Sequence, residues 1–419
     1  MSVTSVGGGL SGNGKCCHVL LVACVLCLCT LNSCTYSTQA EKTYSNVTLN
    51  IPKTADFVNT LDSVRYRIDK VIELELKDGV SGVKGNPVIR NERIYIKDIT
   101  GEYVAVFNID GQFLHKVGGR GRSRNELVGC IWDFDIDRET DDVHIYDRNG
   151  LKILVFDRDG RFRKSISLKD CLPTSVRLAS NSYIASCDVN SLREYGPKLV
   201  RLGESGEIAD SYIEDERMNK ITFEGANTIP LFSDGSDITA YLPLLSDSIV
   251  LLNKDSISGV INLRFEDGFP SGTELDKIKE SGDLSRKSDK IQYISSAKVN
   301  ECYCLVHFYA YRPEYDTESL YAFLYDFRNR KSYCKQGLLS FPRMLGSFTS
   351  IYKDNLVMLL TEDDFAYFHS FYELATSSPE GAFLYKSVED FAKIGYDRFS
   401  VDLIKNWNNS PIIILSKLQ

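Results

Sequence analysis

"VFNIDGQF", residues 106–113, returns 49 residues later as "VFDRDGRF", residues 155–162. The echo is wider than eight residues. Residues 93–117 read "RIYIKDITGEYVAVFNIDGQFLHKV" and residues 142–166 read "DVHIYDRNGLKILVFDRDGRFRKSI". Without a gap, eight of these 25 positions are identical, among them Ile96/Ile145, Asp98/Asp147, Gly101/Gly150, Asp110/Asp159 and Gly111/Gly160. Each copy reads as three strands. Alternation at Ile94-Tyr95-Ile96 or Val143-His144-Ile145 comes first, and a turn opened by Asp98 or Asp147 follows. An apolar strand then runs into an Asp-Gly hairpin turn, where Gly takes φ > 0 without strain. Ahead of the second copy, "IWDFDID", residues 131–137, supplies a fourth and innermost strand. Four antiparallel strands per 40–50 residues is the period of a β-propeller blade, and a lone blade cannot bury both of its faces.

Weaker copies continue along the chain. "LVRLGESGEI" (199–208) keeps the spacing from an apolar residue to Gly, and hairpins are read at 246–263, 347–362 and around "ECYCLVHFYA" and "SLYAFLYDFRNRKSYC". At roughly 50–60 residues per unit, the chain from about residue 64 to its end makes six blades. The expectation is an all-β, six-bladed propeller over residues 61–419, built of four-stranded antiparallel blades. Two short helices are expected near 362–376 and 387–395, where acidic residues occupy the first turn.

The N-terminus reads differently. Residues 1–15 are polar and end on Lys15, and an apolar run follows from Val19 to Leu31. About 13 helical residues rise only about 20 Å, too short for a hydrocarbon core of about 30 Å, so the run fits a signal-peptide h-region. It stops at "LNSC", which resembles a bacterial lipobox and makes Cys34 the lipidated residue, with residues 1–33 removed. Residues 34–60 are then a flexible tether to the membrane.

Composition narrows the function classes. The chain has 419 residues, 43% hydrophobic, and a formal net charge of −8. Loss of residues 1–33 removes one positive charge, Lys15, and no negative one. An acidic exported chain is a poor partner for nucleic acid, which demands a basic face. In an oxidising compartment Cys171 and Cys187 could pair, whereas Cys302 and Cys304 read as buried small hydrophobes.

No G-x-S-x-G, H-E-x-x-H, P-loop or EF-hand spacing is present, and no motif calls for a cofactor or a metal. His144 aligns with Tyr95 inside a strand and reads as a packing position. Asp133, Asp135, Asp137, Asp141 and Asp142 suggest Ca²⁺ at first sight, but the EF-loop Gly and terminal Glu are missing, so inter-blade hydrogen bonding or a solvated face is expected. The local anomaly is "VGGRGRSRNEL", residues 117–127, a basic loop in an acidic chain. Such a loop shares a propeller face with the turns at Asp98–Glu102 and Asp147–Leu151. Arg120, Arg122, Arg124 and Arg148, with Trp132 at the head of the inner strand, form the candidate ligand-binding set.

With "RIYIKD", "VFNIDGQFLHKVGGRGRSRNEL", "WDFDID" and "VHIYDRNGLKILVFDRDGRF" on the page, the chain resembles NHL-type repeats. From about residue 64 to "NNSPIIILSKLQ" it is similar to the six-bladed β-propeller lipoproteins of Bacteroidota. It departs from their Gly-Pro-Gly-Glu turn at Arg124 and Asn125. The resemblance implies that a strand around Tyr66–Leu76 completes the last blade beside Pro411–Leu418. It also implies an outer-membrane lipoprotein, and "TYSTQA" (35–40) lacks the acidic run that resembles a surface-export signal, which points to the periplasmic side. A monomeric, non-catalytic binding module for a small molecule, glycan or protein is the leading expectation. A propeller enzyme (lactonase, lyase or glycan-processing) with an axial metal and a structural subunit of an outer-membrane complex are the alternatives, because a propeller hosts all three.

Overall fold

Alternating apolar strands need a partner on each face, and here they find it in one another. The computed structural model describes residues 46–56, 66–168, 170–180, 182–187, 196–215, 230–233, 238–243, 245–254, 256–281, 291–312, 317–336, 348–364 and 410–418. Two N-terminal strands, β1 (Val47–Ile51) and β2 (Tyr66–Glu73), precede the blades. The first blade is β3 (Val83–Arg90), β4 (Arg93–Asp98), β5 (Val104–Asn108) and β6 (Phe113–Val117). The second is β7 (Asp133–Ile136), β8 (Val143–Asp147), β9 (Lys152–Phe156) and β10 (Phe162–Ser167). The third holds β11 (Ser175–Ala179), β12 (Ser182–Ser186), β13 (Gly196–Leu202) and β14 (Ile208–Asp215). The fourth holds β15 (Leu231–Ser233), β16 (Ile238–Tyr241), β17 (Ser248–Asn253) and β18 (Ser256–Phe265). Helix α1 (Thr273–Ser281) leads to the fifth, β19 (Ile291–Val299), β20 (Tyr303–Arg312), β21 (Thr317–Asp326) and β22 (Lys331–Gln336).

The sixth blade closes the ring. Strands β23 (Phe348–Tyr352), β24 (Asn355–Leu360) and β25 (Ile412–Leu418) take β2 as their outer strand, from Tyr66 opposite Leu418 to Glu73 opposite Ile412. A strand that precedes the first blade and the last strand of the chain thus meet in one sheet, which removes the open edges an unclosed ring would leave. The innermost strands β3, β7, β11, β15, β19 and β23 touch in that order, and β23 touches β3. The core is correspondingly divided between blades. Tyr95 and Val106 of the first blade bury against Phe134 and Ile145 of the second, and Ile94 and Phe107 bury against Ile72, Val357 and Ile413 of the sixth.

The echo now has a physical cause. Phe107 meets Phe113 edge-on at 5.7 Å and 73°, and Phe156 meets Phe162 at 5.8 Å and 71°, so each copy builds the same aromatic corner. The cap of each turn comes from the residue that opens it. Asn108 Oδ1 accepts from Asp110 N and Gln112 N, and Asp157 Oδ1 accepts from Asp159 N and Arg161 N. Asp110 and Asp159 do not cap. The turn is four residues long with Gly last and a register shift beyond it, a bulged hairpin rather than a two-residue one. Gly111 and Gly160 have φ of 87° and 83°. A Cβ on Gly160 would lie 2.8 Å from Lys116 O of the first blade, and one on Gly111 would overlap Glu73 O of the sixth. The glycine is repeated because each outer hairpin presses its turn against the backbone of the preceding blade.

Other expectations are met or corrected. Asp98 and Asp147, both buried, accept backbone N–H groups of their turns, from Glu102 and Tyr103 in one case and Gly150 in the other. Within the stretch read as a tether, Val47–Ile51 is instead β1, paired parallel to Ile261–Phe265 as a fifth strand outside the fourth blade. Leu49 and Ile51 bury there, which anchors the segment. Cys171 and Cys187 are thiols packed in one cluster between the second and third blades. Residues 362–364 are helical; the remainder of the two expected helices, 365–376 and 387–395, lies outside the described residues, as do residues 1–45 with Cys34.

Candidate functional site

The loop after β6 folds on itself. Leu127 is buried, its N–H donates to Gly119 O, and Gly121 N donates back to Leu127 O. Ser123 N donates to Glu126 Oε2 at 2.7 Å, a contact that holds the Glu126 carboxyl below its usual range. Lys152 Nζ donates to Glu126 O, Val128 N donates to Asp147 Oδ2, and Ile131 N donates to Gly101 O. These bonds seat the loop on the β4–β5 and β8–β9 turns, so all three share one face of the ring.

The structure unites only part of the sequence-derived set. The Arg148 guanidinium stacks over the Trp132 ring at 4.3 Å. Trp132 Nε1 donates to Thr174 O of the third blade at 2.8 Å, which fixes the ring while leaving the residue 39% exposed. Arg120, Arg122 and Arg124 are solvent-exposed and outside this stack; Arg120 approaches Glu102 at 3.8 Å. What the sequence reading missed is apolar. Ile99, Val128 and Leu151 are exposed beside Trp132 on the same turns and loop, and these four are most of the exposed large hydrophobics among the described residues. An Ile or Leu inside a turn that begins with a buried Asp was the available signal.

Behind this face lies an axial cavity of about 300 Å³, bordered by all six blades except for strands beyond the second. Lys97 lines it and reaches Trp132 O at 3.4 Å, so the tryptophan stands at its edge. Burial pulls the Lys97 ammonium below its usual range, and Asp133 opposes that shift. Asp133 Oδ2 accepts from Ser175 Oγ at 2.6 Å, Val176 N at 3.1 Å and Arg177 Nη1 at 2.5 Å. Asp135 Oδ2 accepts from Leu178 N at 2.9 Å. Alternate aspartates on β7 therefore satisfy the free edge of β11, inter-blade bonding rather than a Ca²⁺ loop. Burial works against the Arg177 charge, but Asp133 and Asp135 outweigh it and keep the guanidinium protonated. Among the described residues no three His, Cys, Asp or Glu side chains come together as a metal site.

Two further groups stand at the cavity wall on the fifth blade. Ser296 Oγ lies 2.9 Å from His307 Nδ1. Lys298 is 7% exposed, and burial alone pushes its ammonium down to about 8. Neither was foreseen, because "SSAKVN" reads as an ordinary strand. His144 is the packing residue expected: its Nδ1 meets Tyr183 Oη at 2.8 Å across the blade boundary, and burial pushes it down to about 4.

One solved structure agrees with the architecture. A crystal structure of a Bacteroides fragilis protein named as an exported protein superposes with a TM-score of 0.62 at 17% identity, covering 90% of this chain and 100% of that one. A member of the duf4221 family from Bacteroides vulgatus aligns over 85% of this chain and 99% of its own, at 8% identity and a TM-score of 0.48. No curated protein matches the sequence. The model of one family matches residues 72–390, from the end of β2 to beyond β24, and the chain accordingly belongs to the family described as Domain of unknown function (DUF4934).

Proposed function

We propose that the protein is an exported, lipid-anchored propeller of the cell envelope that binds a protein partner through the loop face of its first two blades. The observation that carries this reading is the coincidence, on one face, of exposed Trp132, Ile99, Val128 and Leu151 with Arg148 and the Arg120–Arg124 loop. Exposed apolar side chains and arginines presented together on one face suit a partner surface that is part acidic and part apolar. Export draws on the name of the Bacteroides fragilis relative, and anchoring draws on "LNSC" and Cys34. The periplasmic side of the outer membrane is the proposed location.

Photo-crosslinking from position 151 in intact envelopes tests the reading. One discrete partner band is expected, lost in a Trp132→Ala, Arg148→Glu double variant that folds normally; a band pattern unchanged by that variant would overturn it. Cys34→Ser is expected to move the protein from the membrane to the soluble periplasmic fraction. An enzymatic reading has one observation in its favour, the Ser296–His307 contact at the cavity wall. Covalent labelling of Ser296 by a fluorophosphonate would favour it over the binding role.

A further inference from the structure

The axial cavity contains a charge that the fold does not use. Lys298, on the innermost strand of the fifth blade, makes no hydrogen bond or ion pair among the described residues. An ammonium buried without a partner is destabilising, and a methionine of similar length would fill the same space without that penalty. The two cavity carboxylates do not relieve it. Asp133 and Asp135 belong to the second blade, three blades away round the ring, and are engaged by Arg177 and by backbone N–H groups of β11.

Two neutral groups on the Lys298 side are also uncommitted. Ser350 of the sixth blade is buried, and Asn86 of the first is half-buried. Both line the cavity, and neither makes a side-chain hydrogen bond among the described residues. An ammonium, a hydroxyl and an amide thus face one void. The charged lining residues are Lys97, Arg177 and Lys298 against Asp133 and Asp135, an excess of one positive charge. That excess matches a monoanion; a phosphate dianion would bring surplus negative charge toward the aspartates. The void of about 300 Å³ has room for about ten waters at the roughly 30 Å³ each takes in the liquid, and a sugar acid packs its bonded atoms more tightly than that.

We infer that the axial cavity binds a small hydroxylated carboxylate, with the carboxylate on Lys298 and hydroxyls on Ser350 and Asn86. The site is separate from the loop face, and the reading does not depend on the protein partner proposed there. Calorimetric titration of the purified full chain at constant ionic strength tests it, with sodium glucuronate, gluconate and lactate as probes. Glucose and inorganic phosphate serve as the comparison. Saturable binding of at least one carboxylate is expected, weakened about tenfold or more by Lys298→Met and about threefold by Ser350→Ala, in line with loss of a charged and a neutral hydrogen bond. Leu114→Ala, on the outer strand of the first blade and away from both sites, should leave it unchanged. Failure of all three carboxylates to bind, binding retained in full by Lys298→Met, or equal binding of phosphate would each overturn the assignment.

Discussion

Two walls of the same cavity treat buried charge in opposite ways. Between the second and third blades, Asp133 pairs with Arg177, and Asp133 and Asp135 together close the free backbone edge of β11. On the fifth blade, Lys298 is as deeply buried and has no such partner among the described residues. The paired wall is architecture, since each atom serves another part of the ring. The unpaired wall serves nothing in the ring, and stability given up without structural return marks a place where a ligand acts.

The comparison breaks first at Asp133. Asp133→Ala leaves Arg177 buried and uncompensated, and urea unfolding should show a loss of about 3–5 kcal/mol. A loss below about 1 kcal/mol would mean that the wall is not structural. Lys298→Met should do the reverse, raising stability at pH 7 by about 2–3 kcal/mol. The sign follows from the folded value of about 8 lying below the ordinary 10.5. The penalty is complete below pH 8 and disappears as pH rises toward 10.5, so the gain of the variant should shrink over that window. Destabilisation by Lys298→Met would show that the ammonium has a structural partner after all.

His144 gives a third treatment of a buried ionisable group, exclusion of its charge. Its folded value of about 4 lies below the ordinary 6.5, so the unfolded chain binds the extra proton between those limits. Stability should therefore fall as pH drops from 6.5 to 4, by about 2 kcal/mol in all, and His144→Gln should flatten that part of the profile. The smallest effect is expected at Tyr95, whose buried hydroxyl has no hydrogen-bond partner among the described residues. Tyr95→Phe should change stability by less than about 1 kcal/mol, because no bond among the described residues is lost.

The repeat was legible because blade geometry is local. Strand, turn and hairpin at 93–117 and 142–166 need only neighbours in sequence, and the eight shared positions are those that turn the chain or fill the blade boundary. Ring closure through Tyr66–Glu73 and the shared face of the 117–131 loop and the two Asp turns also came out as read. The basic loop was located correctly, but its arginines point to solvent, and the stack formed only between Trp132 and Arg148.

By itself, then, the sequence determined the number and kind of blades, the need to close the ring and the face on which the irregular loop lies. Those follow from period-2 alternation, turn residues and the need to cover every edge. The closing strand, in contrast, was what the family resemblance implied. Tertiary structure alone decided that β1 joins the fourth blade, that Gly111 and Gly160 touch the preceding blade, and that Lys298 lines the axis without a partner among the described residues. Each of these depends on what stands across a blade boundary or across the ring. Such neighbours are tens to hundreds of residues distant in sequence, and the alternation of a strand carries no record of them.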